Sequence, residues 1–168
     1  MKLVIKLLIL SVFIITACKD PEKQESKPVS LSQTAIEKVK LTSLNGELID
    51  MKQYNGKTVF INFWATWCKP CIEEMPTIRK AMDLLKNEKI EFVFASNEAM
   101  EEIQTFETEH RYGFNYTMVG NLEGLDIIGL PTTFIFDKGG KQVFSEMGYR
   151  KWDDKANIDL LLKIAKPE

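Results

Sequence analysis

The feature that most constrains this chain is a junction between a strand-like and a helix-like pattern, with two cysteines placed on it. The run KTVFINFW (57–64) is rich in β-branched and aromatic residues and has the length of a buried strand. From Cys68 onward the apolar residues recur three or four positions apart, which predicts a helix to about Lys86. Cys68 and Cys71 therefore lie where the strand gives way to the helix.

The rest of the chain continues this alternation of strands and helices. Two strand-like runs surround Asn45-Gly46, a dipeptide that accepts a positive φ in a hairpin turn. A strand at 90–96, an amphipathic helix closed near Gly113, a short strand at 116–120 and a strand at 132–137 follow. The last strand turns at Gly139-Gly140 into a hairpin, and a final helix spans 153–165. This order predicts an α/β fold with a mixed central sheet flanked by helices.

Length and charge limit the class of protein. The chain has 168 residues, 45% of them hydrophobic, which suits one domain with one core. Its formal net charge of -2 provides no strongly basic face, and this argues against a nucleic-acid partner.

The first 17 residues predict an export signal. Lys2 and Lys6 precede an apolar run (7–15) that is too short to span a bilayer comfortably, and two small residues precede Cys18. The tetrad ITAC (15–18) resembles the lipobox of bacterial lipoproteins, in which the peptide is cut before a cysteine whose sulfur is then lipidated. An ordinary signal peptide, or an uncleaved anchor, with an incidental Cys18, is the alternative.

These features divide the chain into three parts. Residues 1–17 are predicted as the signal peptide and 18–35 as the lipidated cysteine with a flexible tether, because this polar stretch has few large apolar groups. The folded domain is predicted at 36–168. Lipidation of Cys18 leaves Cys68 and Cys71 as the only thiols of an exported protein, in a compartment that permits oxidation.

The position of Cys68 at a helix start favours its thiolate form. Its sulfur would lie near unpaired backbone N–H groups and the positive end of the helix dipole, with the charge of Lys69 nearby. Pro70 suits the first helical turn, where its missing donor is no loss. We therefore predict Cys68 as the exposed attacking sulfur and Cys71, one turn further, as the more buried thiol that resolves a mixed disulfide.

A metal site and an inert structural disulfide are weaker interpretations of the same pair. Structural zinc takes four ligands, and besides the two cysteines the chain after residue 18 offers only His110, which we expect to be a solvated residue of a surface helix. A disulfide across two residues closes a very small loop, so it restricts the unfolded chain little.

Two motifs together carry a family resemblance. FWATWCKPC (63–71) followed by GLPTTFIFD (129–137) resembles the thioredoxin superfamily. NFWATWC, EEMP and the leading hairpin are similar to its membrane-tethered, extracytoplasmic TlpA/ResA-like branch, and the resemblance covers 41–163. It implies a thioredoxin-like fold, with Cys68 as nucleophile, Cys71 as resolving thiol and Trp67 as the aromatic residue that shields the pair.

The resemblance also implies a substrate-binding segment and an insertion. Pro131 matches the cis-proline that faces the disulfide in this family, and Leu130 would present its backbone N–H and C=O to a bound chain. A trans loop proline before a strand is the alternative. The family branch carries a helix-bearing insertion between Cys71 and Pro131, for which residues 98–120 are the candidate, and partner choice is expected to depend on it.

Asn62 and Glu74 are the two positions at which the chain differs from plain thioredoxin. Thioredoxins have a buried aspartate where this chain has Asn62, which cannot titrate and would then be a polar strand residue with satisfied hydrogen bonds. Glu74 lies one helical turn after Cys71 and matches a glutamate of the TlpA/ResA-like branch, so it is a candidate general base. A solvated helix acid, like Glu73, is the alternative.

The expected function is that of a lipid-anchored thiol-disulfide oxidoreductase on the periplasmic side of a bacterial membrane. Family membership implies a monomeric reductant of exported proteins, for example in c-type cytochrome maturation, with no cofactor and with electrons from a membrane thiol transporter. A disulfide oxidase or isomerase is one alternative. A thiol peroxidase would need Ser or Thr where Ala65 stands, and a copper chaperone on this fold typically spaces its cysteines by three residues.

Overall fold

A computed structural model describes residues 34–166 of the protein. Six strands and three α-helices make up its regular structure, together with short 3-10 helices at Ile36–Lys38, Met51–Tyr54 and Leu122–Leu125. The strands are β1 (Leu41–Ser43), β2 (Thr58–Phe63), β3 (Ile90–Ser96), β4 (Tyr116–Val119), β5 (Thr132–Phe136) and β6 (Gln142–Met147). The helices are α1 (Lys69–Leu84), α2 (Met100–His110) and α3 (Lys155–Ala165).

The strands form one mixed sheet in the order β1-β4-β3-β2-β5-β6. The central strands β2, β3 and β4 are parallel, and β1, β5 and β6 each run antiparallel to their neighbour. The predicted α/β fold with a mixed sheet is thus confirmed. Because β2 lies between β3 and β5, its carboxyl end, which leads to the cysteines, emerges in the middle of the sheet.

The alternation of side chains along β2 separates two apolar cores. Val59, Ile61 and Phe63 belong to one core, whereas Phe60 and the following Trp64 belong to the other, as the two-residue period of a strand requires. All six residues of β2 are buried, so both faces of the sheet are covered. By the same alternation Asn62 shares the face of Phe60, which is the face that α1 covers.

The three α-helices pack on the face of the sheet that carries Phe60. Buried apolar residues of α1, α2 and α3 belong to the core that contains Phe60, among them Met75, Ile103 and Leu161. The opposite core is closed by residues around the 3-10 helices, among them Ile36 and Met51. Helices were expected to flank the sheet, and the α-helices of residues 34–166 contribute to one core only.

The leading hairpin forms with a shorter second arm than predicted. Gly46 has a φ of +87° at the turn, as the Asn-Gly pattern indicates. The return arm pairs with β1 through a single bridge between Thr42 and Leu48, with backbone hydrogen bonds from Ser43 N to Glu47 O and from Ile49 N to Leu41 O. Leu48 is largely exposed, whereas Ile49 packs against the core that contains Ile61.

The segment predicted as an insertion folds into α2 and β4. β4 pairs with β1 on one side and β3 on the other, so it is an inner strand of the sheet rather than a surface addition. Helix α2 ends at His110, and its C-cap residue Arg111 takes a left-handed conformation two residues before Gly113. A role of this segment in partner choice stays a prediction.

The predicted signal peptide, Cys18 and most of the tether lie outside the described residues. The boundary at residue 36 therefore stays a prediction. Within residues 34–166, no helix combines the length and apolar character needed to cross a bilayer.

Candidate active site

Cys68 and Cys71 are joined by a disulfide at the start of α1. The Sγ atoms are 2.01 Å apart and the Cα atoms 5.3 Å apart. Cys68 is the N-cap residue of the helix, with extended backbone angles, and its carbonyl accepts the first helical hydrogen bond, from Ile72 N at 3.1 Å. Pro70 lies in the first turn, as predicted. The Cys68 sulfur therefore lies where the unpaired N–H groups of the helix are concentrated.

The two cysteines differ in exposure in the predicted direction, although both are buried. Cys68 retains 4% of its surface and Cys71 none. The prediction of an exposed Cys68 is thus too strong for the oxidised protein, in which its sulfur is bonded inward to Cys71. Lys69 is highly exposed, and the 3.8 Å contact of its Nζ with Glu73 Oε1 offsets part of its charge. Its effect on the Cys68 thiolate is therefore weak compared with that of the helix start.

A carboxylate on the neighbouring loop holds the segment that leads into Cys68. Glu98 Oε2 accepts from the backbone N–H of Thr66 at 2.7 Å, and Glu98 Oε1 accepts from its hydroxyl at 2.6 Å. Ser96, at the end of β3, donates from its hydroxyl to the same carboxylate at 3.0 Å. Hydrogen bonds to an ionised group are stronger than neutral ones, so this contact fixes the loop two residues before the nucleophile.

Leu130 and Pro131 have the geometry that the resemblance implies. The peptide bond between them is cis, so the alternative of a trans loop proline is wrong. Leu130 is half-buried and packs against the core that contains both cysteines. Within residues 34–166 neither its N–H nor its C=O has a hydrogen-bond partner, whereas Pro131 O accepts from Gly148 N at 2.7 Å. A bound chain could pair with the free groups of Leu130.

Trp67 lies directly before the disulfide and is 73% exposed. It packs against no buried cluster of the described domain. Its position is compatible with a contact to a bound protein, since large exposed aromatic residues are typical of binding surfaces. The role of shielding the cysteine pair stays a prediction.

Glu74 is a buried residue of α1, so the alternative of a solvated acid is wrong. Its exposed fraction is 1%, and it lies on the buried stripe of α1 between Cys71 and Ile78. Oε1 accepts from Asn62 Nδ2 at 2.8 Å, and Oε2 accepts from the backbone N–H of Arg150 at 2.7 Å. Each carboxyl oxygen thus has one donor.

Burial changes the acidity of this carboxyl. Loss of water raises the pKa of Glu74 from 4.5 to about 7, and the nearby Glu146 acts in the same direction. The hydrogen bonds from Arg150 and Asn62 oppose this rise. The indole Nε1 of Trp152 makes no hydrogen bond within residues 34–166, so the carboxyl has two donors there, Asn62 and Arg150. A carboxyl with this pKa exchanges protons near neutral pH.

Sequence reasoning missed the residues that surround Glu74. Asn62 was expected to have satisfied hydrogen bonds; its Nδ2 donates to Glu74 and to Thr133 Oγ1 on β5 at 3.1 Å, whereas its buried Oδ1 has no partner within residues 34–166. Arg150 is separated from Glu74 by 76 positions, and no local pattern indicates their contact. A signal for the burial of Glu74 was present, since it lies three residues after Cys71 and four before Ile78, on the same helical face.

The site offers no set of side chains for a metal ion within residues 34–166. No group of three or more His, Cys, Asp or Glu residues lies close enough together there to bind one. His110 ends α2, where its Nδ1 is 3.1 Å from Phe106 O and its ring stacks on Phe106. It is an exposed residue of a surface helix, in agreement with the sequence interpretation.

Comparison with known proteins assigns the family. The profile of the AhpC/TSA family matches residues 31–143, about two thirds of the chain. The chain belongs to the AhpC/TSA family. Thiol-disulfide oxidoreductase ResA of Geobacillus kaustophilus is 34% identical over 122 residues, which are 70% of this chain and 69% of that protein. The ResA of Bacillus thuringiensis is 36% identical over 114 residues, 64% of this chain and 65% of that protein.

Solved structures confirm the fold of this AhpC/TSA member. A protein of Chlorobium tepidum assigned as thiol:disulfide interchange protein DsbE aligns with a TM-score of 0.69 at 22% identity, over 82% of this chain and 100% of that chain. At this identity the likeness concerns the thioredoxin-like fold alone.

Family, fold and cysteine pair together identify the activity class. The disulfide lies at the start of α1, the relatives are thiol-disulfide oxidoreductases, and the protein is a thiol-disulfide oxidoreductase of this family. Ala65, three residues before Cys68, is buried and lacks the hydroxyl that a thiol peroxidase would need.

Proposed function

We propose that the protein reduces disulfides of exported proteins on the outer side of a bacterial membrane. The observation that carries the proposal is the disulfide at the start of α1, where Cys68 has a small exposed area and Cys71 has none. Such asymmetry suits exchange with a partner, because Cys68 is the one cysteine of the pair that retains any exposed surface. Maturation of c-type cytochromes is one expected setting, as the ResA-like resemblance implies.

The reaction follows from the order of the two cysteines. In the reduced protein the Cys68 thiolate attacks one sulfur of a substrate disulfide, and the other substrate sulfur leaves as a thiolate and takes a proton. The Cys71 thiol then loses its proton and attacks Cys68 Sγ, which releases the second substrate thiol. Two electrons pass to the substrate, and the Cys68–Cys71 disulfide remains. A membrane thiol transporter is the proposed donor that reduces it again, with no bound cofactor and with the protein as a monomer.

Glu74 is the proposed base of the second step. It lies one helical turn from Cys71, both are buried, and the carboxyl has a pKa of about 7. A base with this pKa can take the proton of the Cys71 thiol near neutral pH and return it when the pair is reduced. The free N–H and C=O of Leu130 would hold the substrate chain during both steps.

Activity on three reagents separates the proposal from its alternatives. We expect the purified, reduced protein to reduce insulin disulfides rapidly, to reduce hydrogen peroxide no faster than a free dithiol, and to bind cuprous ion weakly. Assays of insulin precipitation, peroxide consumption and copper retention on gel filtration measure these outcomes. Rapid peroxide turnover with slow insulin reduction would favour the peroxidase, and retention of one copper per chain would favour the chaperone.

The redox midpoint tests the proposed direction. Known thiol oxidoreductases extend from about -270 mV for thioredoxin to about -120 mV for the strongest oxidant, and we expect this protein below about -220 mV. Pro70 between the cysteines matches reducing thioredoxins, and the weak contribution of Lys69 limits the stabilisation of the thiolate form. Equilibration with a glutathione or dithiothreitol series, read by tryptophan fluorescence, measures the midpoint. A value above about -180 mV contradicts the reductant and favours an oxidase or isomerase.

Lipid attachment through Cys18 is proposed as the membrane anchor. We expect Cys18→Ser to prevent acylation, so that the protein accumulates as a soluble or uncleaved form. Fractionation of cells and intact mass spectrometry compare this variant with the parent. Cys68→Ser is a matched control, because it removes a different cysteine and should leave acylation unchanged. Membrane retention and mass that are unchanged in Cys18→Ser rule out the lipoprotein assignment.

A further inference from the structure

The loop that follows β6 carries one of the two donors of the Glu74 carboxyl. Its Arg150 N–H donates to Glu74 Oε2 at 2.7 Å, while Asn62 serves the other oxygen. Because this donor is a backbone N–H, no side-chain rotation can bring it to the carboxyl. Its position relative to Glu74 therefore depends on the conformation of the loop. Contacts elsewhere in this loop therefore decide whether Glu74 keeps its second donor.

The Arg150 side chain ties this loop to the elements on either side of it. Its Nε donates to Asn157 Oδ1 on α3 at 2.6 Å, and its Nη1 forms an ion pair with Glu146 on β6. The guanidinium carbon lies 5.3 Å from the ring centroid of Phe144 and 5.4 Å from that of Trp152. A planar guanidinium suits such a site, because it donates in fixed directions and stacks on aromatic faces.

The Arg150 guanidinium forms no ion pair with Glu74 within residues 34–166. Among the described residues its ion-pair partner is Glu146, and its contact with Glu74 is made by the backbone. We propose that Arg150 is a positioning residue. The contacts of its side chain with Asn157, Glu146 and the two aromatic rings, together called the clamp, hold its backbone N–H against Glu74, so that the ionised carboxyl keeps its second donor. This inference deepens the proposed function and rests on the role of Glu74 as the base.

The surroundings of Glu74 set the direction of the expected effect. Asn62 on β2 and Arg150 favour the ionised form, whereas burial and the charge of Glu146 on β6 oppose it. Thr133 on β5 contacts Asn62 and carries no charge, and Cys71 on the same helix is held in the disulfide. If the clamp is lost, Asn62 is the one remaining donor that stabilises the ionised carboxyl. Burial then disfavours the charge more strongly, and the pKa of Glu74 rises.

Variants that keep every backbone N–H test the clamp. In the purified oxidised protein, labelled with ¹³C at glutamate carboxyls, the Glu74 signal is identified by its loss in Glu74→Gln and then titrated. We expect Arg150→Gln to raise the midpoint by about one pH unit, a tenfold change in proton affinity. Asn157→Ala alters no charge and should give a smaller shift of the same sign. Lys151→Gln, a matched control at the next, exposed position, should give none.

Two outcomes overturn the inference. A midpoint within about 0.2 units of the parent in both Arg150→Gln and Asn157→Ala means that another contact holds the loop, such as the one from Trp152 N to Thr77 Oγ1 at 3.1 Å. A midpoint that returns to the parent value in Arg150→Gln/Glu146→Gln means that the effect is the uncompensated charge of Glu146. Asn157→Ala also removes the hydrogen bond from Asn157 Nδ2 to Lys151 O at 2.7 Å, so if Arg150→Gln does not fold, Arg150→Lys, which keeps the charge and lacks the Nε donor, decides.

The titration is independent of turnover, which separates the two proposals. A midpoint that moves in Arg150→Gln, together with a pH profile of disulfide exchange that does not move, supports the clamp and contradicts the role of Glu74 as the base. A profile that moves with the midpoint supports both.

Discussion

We expect Cys68→Ser to abolish disulfide exchange, with insulin reduction slowed by at least about 10³-fold. A serine hydroxyl does not ionise near neutral pH and cannot attack a disulfide sulfur, and the remaining thiol, Cys71, has no exposed surface. The rate of insulin precipitation with dithiothreitol as donor measures the loss. The double variant Cys68→Ser/Cys71→Ser sets the baseline, and circular dichroism shows whether each variant keeps the fold.

Cys71→Ser should behave differently from Cys68→Ser, although the chemical change is the same. Its Cys68 still attacks a substrate, but no second thiol resolves the product, so a mixed disulfide persists. Mass spectrometry of the species captured by Cys71→Ala in cells would identify the substrates. Equal alkylation rates of Cys68 and Cys71 in the reduced parent at neutral pH would contradict this order of roles.

Glu74→Gln is the second change with a large expected effect. A proton acceptor in the right position contributes about 10² to 10⁴-fold to a rate, so we expect exchange at pH 7 to slow by about 10²-fold. In the parent the rate should rise with pH as Glu74 ionises around its pKa of about 7, and this rise should disappear in the variant. Stopped-flow measurement of the resolving step from pH 5 to pH 9 tests both statements.

The stability of the protein should change with pH as Glu74 ionises. The pKa of Glu74 is raised from 4.5 to about 7 in the folded state. The contribution of this shift to the free energy of unfolding is therefore fully present below pH 4.5 and is lost as the pH rises through 7. The shift corresponds to about 3 kcal/mol of the free energy of unfolding. Glu74→Gln removes this pH dependence, as measured by urea unfolding at pH 5 and pH 8.

Glu73→Gln is the matched control for both measurements. Glu73 is the adjacent residue of α1 and is exposed, so its replacement should change neither the pH profile nor the pH dependence of stability. A Glu74→Gln variant with the profile of the parent would exclude Glu74 as the base. The role of the residue would then be structural, through its hydrogen bonds to Asn62 and Arg150.

Much of the fold follows from local sequence patterns. The alternation along β2 places Phe60 and Ile61 in different cores, and Asn45-Gly46 forms the predicted turn. The hairpin arm after Gly46 was predicted less well, because its extent depends on whether another element covers residues such as Leu48, which remains exposed. Local patterns specify the type of an element better than its length, since length depends on packing partners.

The surroundings of Glu74 could not be predicted in the same way. Helical spacing places Glu74 on the face of Cys71, but the donors of its carboxyl come from β2 and from the loop after β6. Asn62 and Arg150 are 12 and 76 positions away from Glu74. Contacts at such separations are set by the order of strands in the sheet, which a local pattern does not encode.

The sequence by itself determined the strand-to-helix junction, the Cys68–Cys71 pair at the helix start and the proline that precedes β5, because each depends on neighbours within one or two turns of chain. The tertiary structure alone decided how deeply both cysteines are buried and whether Glu74 is solvated. It also decided that Arg150 supplies a donor to that carboxyl. These properties depend on burial and on distances between separate elements, which exist only once the sheet and helices have packed together.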